Sequence, residues 1–175
     1  MKRLTILFST IAVWAVSGCK GKHIHTEISI NAEPEVVYGV LADNARYPEW
    51  NPYHVRVEGA LEIGNELQVE IHKPNGDTVN IHPKVMRIFP GRELTWGGGI
   101  KGIFFGEHVF LLEQTDTGGT HLIHKEDFNG IFVPFASLDA VEEGYNAMNH
   151  ALKKRVEAMG KTKPHLGLKT QAIQD

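Results

Sequence analysis

The sequence lacks features that several classes of protein require. Cys19 is its only cysteine, so the chain cannot form an internal disulfide. The longest mainly apolar stretch, at residues 4–16, is too short for a transmembrane helix, which needs about 20 residues. Lysine and arginine form no basic block and the formal net charge is only −3, so nucleic acid is not an expected partner.

The histidines, ten in number, also form no known metal-binding pattern. Neither His-x-x-x-His nor His-Glu-x-x-His occurs, and His121 and His124, three apart on a predicted strand, point to opposite faces. The glycines at 97–99 lack the Gly-Lys-Ser/Thr ending of a phosphate-binding loop. The sequence therefore predicts no metal and no other cofactor.

The first residues predict a signal peptide at 1–18. Lys2 and Arg3 precede the apolar stretch, and small residues follow it, which is the order that a secretory signal shows. The ending Val-Ser-Gly-Cys at 16–19 resembles the bacterial lipobox, in which the cysteine is acylated and the chain is cut before it. A generic secretory signal with a chance cysteine is the alternative. We expect an acylated anchor at Cys19, a linker over 19–22 and attachment to a membrane.

The resemblance to the lipobox also implies a location, namely the bacterial cell envelope. In a Gram-negative cell this means the outer membrane or the periplasmic face, and otherwise the outer face of the cell membrane.

The most regular pattern in the chain lies at residues 137–159. Large apolar residues recur there at steps of three and four, which places them on one stripe of an α-helix: Leu138, Val141, Tyr145, Met148, Leu152, Val156 and Met159. Ser137 is in position to cap the start of this helix, and Gly160 to end it. A helix with one apolar side needs a large apolar partner surface.

Most of the chain before this helix predicts strands. Alternation of apolar and polar residues, with turn residues between the segments, indicates strands at 23–30, 53–58, 66–72, 78–89, 93–96, 106–114 and 120–129. Two short helical pieces follow the first strand, one opened by Pro34 and one at 45–52. Short connections make the sheet antiparallel, so we predict an α+β domain at 23–160, followed by a loose C-terminal tail at 161–175.

At this point the chain resembles the SRPBCC or START-like superfamily, and most closely its polyketide cyclase/dehydrase and lipid-transport branch. The segments that carry the resemblance are INAEPEVVY at 30–38, YPEWNP at 47–52, LTW at 94–96, GEHVF at 106–110 and EDFNG at 126–130. The resemblance implies a helix-grip fold, in which a curved antiparallel sheet of about six or seven strands surrounds the long C-terminal helix. It also implies a cavity between the sheet and the helix.

The side chains that alternate towards this cavity predict a mainly apolar ligand pocket. The predicted pocket residues are Trp50, Leu67, Val69, Ile71, Leu94, Trp96, His108, Phe110, Leu122, His124, Glu126, Phe128, Tyr145 and Met148. Such a lining suits a hydrophobic small molecule, for example a lipid, isoprenoid, quinone or aromatic metabolite. Trp50 either closes one end of the pocket or only packs a turn.

Three polar residues in this set leave more than one function open. His108, His124 and Glu126 can orient a ligand or satisfy one another across neighbouring strands. They can also act as catalytic residues that transfer protons in a cyclase, dehydratase or hydrolase. A third alternative is an envelope protein whose domain serves mainly protein contacts.

Two further segments have an apolar character. The glycine-rich stretch at 97–99, followed by Phe104 and Phe105, predicts a mobile loop at the pocket mouth, and residues 131–135 predict a second apolar loop before the long helix. If exposed, these loops could touch a membrane or gate the cavity. We expect most of their apolar residues to be buried.

Overall fold

The computed structural model describes residues 21–161. The signal peptide, Cys19 and nearly all of the predicted tail lie outside these residues. The elements, in chain order, are β1 (Lys22–Ile30), α1 (Pro34–Ala42), a 3-10 helix (Asn44–Glu49), β2 (His54–Glu58), β3 (Gln68–His72), β4 (Thr78–Ile81), β5 (Lys84–Phe89), β6 (Glu93–Ile100), β7 (Phe104–Gln114), β8 (Thr120–Asn129), a second 3-10 helix (Val133–Phe135) and α2 (Val141–Lys161).

The strands form two antiparallel sheets, which confirms the α+β helix-grip fold. Five strands pair in the order β1-β8-β7-β6-β5, and the other three pair in the order β2-β3-β4. An isolated bridge between Glu66 and Lys84 joins the two sheets. The apolar side of α2 packs over β1 and is buried through Val156. Within residues 21–161 no helix is long and apolar enough to cross a membrane.

The sheets contain eight strands in place of the six or seven expected, because the predicted strand at 78–89 is divided. β4 ends at Ile81 and β5 begins at Lys84, in a different sheet. Pro83 lies between them and has no N–H to donate to a strand ladder. Its carbonyl oxygen instead accepts a hydrogen bond of 2.8 Å from the Leu67 N–H.

The long helix differs from its predicted bounds at both ends. It begins at Val141, so Ser137 does not cap it, and Leu138 lies buried in the turn before it. Gly160 does not end the helix, since helix α2 continues to Lys161. A glycine terminates a helix when its φ is positive, and Gly160 is not among the glycines with positive φ.

The loop predicted at 97–99 is wrong, and the loop predicted at 131–135 is present but is not buried as expected. Residues 97–99 are not a loop but part of β6, where Gly98 pairs with Gly106 of β7. Backbone pairing needs no side chain, and a Cβ at Gly97 would lie only 2.8 Å from the Gly106 carbonyl oxygen. Residues 131–135 do form a loop, but it is mostly exposed: Val133 is buried, whereas Phe135 is 82% exposed.

Candidate functional site

A cavity of about 550 Å³ lies between the two sheets and the start of α2. Six of the predicted pocket residues line it: Ile71, Trp96, His108, Glu126, Phe128 and Tyr145. Its exposed lining residues, which mark the mouth, are Asn80, His82, Gly99 and Ser137. Across the mouth, Lys73 Nζ donates a hydrogen bond of 3.1 Å to the Ser137 carbonyl oxygen.

The other predicted pocket residues do not line this cavity. Those buried in the core around it are Leu67, Val69, Leu94, Phe110, Leu122, His124 and Met148. Those on the five-stranded sheet alternate with the lining residues on one face but are covered by other side chains, as His124 is by Tyr145 and Asn149. Trp50 does not close the cavity, because it packs edge-on against Tyr47 and borders a separate pocket of about 350 Å³ beside α1.

Several lining residues are not among the predicted ones, chiefly Tyr53, just before β2, and His54, its first residue. The register of β2 shifts between His54 and Arg56, so simple alternation does not give the direction of these side chains. Both backbone N–H groups donate to Asn51 Oδ1, at 3.0 Å each. The available signal for this local structure was Asn51, since an asparagine side chain often accepts hydrogen bonds from the backbone N–H groups that follow it.

A chain of hydrogen bonds fixes the protons on two buried histidines. The Thr26 hydroxyl donates to the carbonyl oxygen of His124, at 2.9 Å, and accepts from Asn149 Nδ2, at 2.9 Å. The Asn149 amide is thereby oriented, and its Oδ1 accepts from His124 Nδ1, at 2.8 Å. His124 then has no proton on Nε2, which accepts from His108 Nε2 at 2.7 Å.

His108 is left with an unprotonated Nδ1. This atom is buried and has no hydrogen-bond partner among the described residues, although the side chain lines the cavity. His54 Nδ1 is likewise buried without a partner, and the two rings lie 5.2 Å apart. An unsatisfied buried polar atom costs about 1–3 kcal/mol, so a ligand that donates a hydrogen bond to His108 Nδ1 gains a bond that the protein alone does not make.

Aromatic rings enclose these histidines. Trp96 stacks on His108 with ring centroids 4.9 Å apart, and Tyr145 stacks on His124 with centroids 3.9 Å apart. Burial lowers the pKa of His54 to about 3 and holds the pKa values of His108 and His124 well below the usual range. All three rings are therefore neutral near pH 7.

Glu126 supplies the acidic group of the cavity. Its Oε2 accepts a hydrogen bond from the Tyr145 hydroxyl. Burial raises the pKa of Glu126 to about 7, while the bond from Tyr145 opposes part of that rise. A carboxyl group with a pKa near 7 can either donate or accept a proton under physiological conditions.

We call the part of the cavity lined by His54, His108 and Glu126 its floor. The floor offers two kinds of polar contact in an apolar setting. Neutral imidazole nitrogens accept hydrogen bonds, and the carboxyl of Glu126 exchanges a proton. No group of three or more His, Cys, Asp or Glu side chains that could hold a metal ion occurs in the described part of the chain.

Comparisons with known proteins agree with this architecture. Residues 22–157 match the family described as polyketide cyclase / dehydrase and lipid transport. No curated protein matches the sequence.

Among solved structures, the Zhui aromatase/cyclase from a Streptomyces species is similar with a TM-score of 0.67 and 17% identity, covering 82% of this chain and 98% of its own. Protein CV1439 from Chromobacterium violaceum has a TM-score of 0.62 and 16% identity, covering 77% and 97%. Protein NE0264 from Nitrosomonas europaea has a TM-score of 0.62 and 12% identity, covering 79% and 96%. At these identities the similarity shows the fold.

Proposed function

Because the chain belongs to the polyketide cyclase/dehydrase and lipid-transport family, we propose that its cavity binds one small, mainly apolar molecule that carries a hydroxyl or N–H group. The observation that carries this proposal is the unpaired Nδ1 of His108, a buried atom on a side chain that lines the cavity. Isoprenoid alcohols, quinols and phenolic metabolites have the required combination of apolar body and hydrogen-bond donor.

The size and charge of the cavity support this class of ligand. A volume of about 550 Å³ lies within the range of small-molecule sites, which is roughly 300–1,000 Å³. The floor has no cationic side chain to pair with an anion, since His54 and His108 are neutral. A carboxylate or phosphate placed there would also face Glu126, so this part of the cavity favours a neutral group. The cationic lining residue, Lys73, lies at the mouth and donates to the Ser137 carbonyl oxygen.

A second candidate function is an enzyme that uses Glu126 as a general acid or base. The observation that favours it is the raised pKa of this carboxyl, about 7, beside the Tyr145 hydroxyl and inside the cavity. The reaction class would be proton transfer on the bound molecule, as in a cyclisation or dehydration. Replacing Glu126 by Gln distinguishes the two functions. If the protein only binds, the wild type and the variant carry the same unaltered ligand. If it is an enzyme, the wild type converts the bound molecule, whereas the variant binds it without converting it.

The first experiment is native mass spectrometry of residues 20–175 purified without detergent, followed by solvent extraction. We expect a stoichiometric apolar adduct with a hydroxyl or N–H group. Val79→Trp places an indole at a half-buried lining position and should abolish the adduct. Val36→Trp makes the same change outside this cavity and should retain it. A clean apo mass that also resists loading with isoprenols, quinols and phenols would overturn the proposal.

We further propose that acylated Cys19 holds the domain at a bacterial envelope membrane. The support is the lipobox-like sequence at 16–19, which ends in the single cysteine of the chain. Expression of the full sequence in a bacterium, with intact mass measurement, tests it. We expect cleavage before Cys19 and an added diacylglyceryl group, both lost in Cys19→Ser. An unmodified mature chain that begins elsewhere would contradict this assignment.

A further inference from the structure

We propose that the folded domain itself contacts the lipid bilayer through an exposed apolar patch at one end of the five-stranded sheet. The patch consists of five large side chains, between 43% and 82% exposed: Ile100, Ile103, Ile131, Phe132 and Phe135. Single exposed apolar residues are common, but a contiguous group of this size marks a binding surface.

Hydrogen bonds join the two loops that form the patch. The Ile131 N–H donates to the Gly102 carbonyl oxygen at 3.2 Å, and the Phe132 N–H donates to the Ile103 carbonyl oxygen at 3.0 Å. The rings of Phe132 and Phe135 lie 6.4 Å apart. The apolar side chains therefore stand on one fixed surface and not on two independent loops.

The charge of this surface suits a membrane interface. Lys101 is the only charged residue in segments 100–104 and 130–136. Its Nζ lies 5.8 Å from the centre of the Phe105 ring, at the edge of the patch. A lysine beside exposed isoleucine and phenylalanine can reach lipid phosphates while the apolar side chains enter the acyl region.

The patch lies at the same end of the five-stranded sheet as the start of the described chain. The described chain begins beside it, because Lys22 pairs with Phe128 and a Cβ on Gly21 would lie 2.9 Å from Asn129 Oδ1. Cys19 precedes Gly21 by two residues, and two residues of chain span at most about 7 Å. An acyl group on Cys19 would hold this same end of the sheet at the bilayer.

The cavity mouth is next to the patch. Gly99 at the mouth is followed directly by Ile100, and Phe135 is followed by Ala136 and Ser137, which also line the cavity. If the cavity holds an apolar ligand, as proposed above, the ligand would pass between bilayer and cavity over a short apolar path. The contact of the patch with the bilayer stands independently of that ligand.

Vesicle sedimentation tests the contact without the acyl anchor. The chain from residue 20 contains every described helix and strand. We expect residues 20–175 to sediment with phosphatidylcholine vesicles and more strongly with vesicles that also contain phosphatidylglycerol. Replacing Phe132 and Phe135 together by Ser should lower the partition coefficient about tenfold or more. Phe89→Ser is the matched control, because Phe89 is 53% exposed but lies far from the patch, at the end of β5.

Three outcomes would overturn the proposal. One is wild-type protein that stays in solution, and another is a Phe89→Ser variant that loses as much binding as the Phe132/Phe135 variant. The third is a wild-type dimer that the Phe132/Phe135 substitutions make monomeric and that does not sediment, which would assign the patch to a second copy of the chain. Retained ligand in the Phe132/Phe135 variant by native mass spectrometry would show that the cavity is unaffected.

Discussion

The Nε2 atoms of His108 and His124 lie 2.7 Å apart on neighbouring strands. Only one proton fits between them, and the bonds through Asn149 and Thr26 decide which ring supplies it. The Thr26 hydroxyl orients Asn149, Asn149 sets the proton on His124, and His124 sets the proton on His108. Thr26 thus determines that His108 Nδ1 is an acceptor and not a donor.

We predict that at pH 7.5 His124 carries its proton on Nδ1 and His108 on Nε2. Long-range ¹H–¹⁵N correlation spectra of labelled protein distinguish the two tautomers. Asn149→Leu should allow both histidines to populate both tautomers. It should also lower the free energy of unfolding by about 1–3 kcal/mol, because it leaves His124 Nδ1 unpaired. Asn146→Leu, one turn earlier on α2, is the control and should leave both tautomers unchanged. A proton on His108 Nδ1 in the wild type would contradict the assignment.

A second prediction concerns acid stability. The three buried histidines have folded-state pKa values below the ordinary 6.5, so their contribution to stability is present above about pH 6.5 and is lost as pH falls. Glu126 acts in the opposite direction. Its folded-state pKa of about 7 exceeds the ordinary 4.5, so its contribution is present below about pH 4.5 and is lost as pH rises to 7.

Near pH 5.5 the histidines therefore favour uptake of about three protons on unfolding, and Glu126 favours release of about one. The net uptake of about two protons should lower the free energy of unfolding by roughly 3 kcal/mol per pH unit of acidification. Urea unfolding at several pH values measures this slope. Glu126→Gln removes the release of one proton, so the net uptake should rise to about three protons and the slope should become steeper in proportion. Equal slopes in the two proteins would show that Glu126 titrates normally.

A third prediction follows from the bond between Tyr145 and Glu126. Because this bond stabilises the charged carboxylate, Tyr145→Phe should raise the Glu126 pKa above about 7, by about one pH unit. A ¹³C NMR titration of the glutamate carboxyl groups measures it. Tyr53→Phe removes a hydroxyl from the adjacent ring, 5.4 Å away between centroids, without touching the bond. A pKa that is the same in all three proteins would exclude a significant bond in solution.

Much of the fold could be predicted because long elements repeat a simple pattern. The stripe from Val141 to Val156 is buried as its spacing indicates, and β8 has the bounds that alternation gave. The division at Pro83 was missed, although a proline in the middle of a strand breaks the ladder and was the available signal.

The site could be predicted only in part. Alternation placed His108 and His124 on the same face, but only His108 reaches the cavity, while His124 is covered by α2 through Tyr145 and Asn149. Whether a buried position faces a cavity or another side chain depends on how far apart the packed elements lie. A one-dimensional pattern does not contain that distance, and the register shift between His54 and Arg56 is equally invisible in it.

The wall between α2 and β2 gives a fourth prediction. Gly144 packs so closely on Tyr53 that an added Cβ would lie 2.1 Å from its ring carbons. Alanine favours a helix by about 1 kcal/mol over glycine, but Tyr53 is buried and cannot move away without disturbing Tyr145. Overpacking of this kind costs about 1–3 kcal/mol, so we expect Gly144→Ala to lower stability.

Gly39→Ala is the matched control for this substitution. Gly39 lies inside α1, and an added Cβ there has nothing within 4 Å. It should raise the free energy of unfolding by about 0.5–1 kcal/mol, since only helix propensity changes. Urea unfolding of both variants gives the comparison. If Gly144→Ala were stabilised as much as Gly39→Ala, α2 would stand further from β2 than described, and the cavity between them would be correspondingly larger.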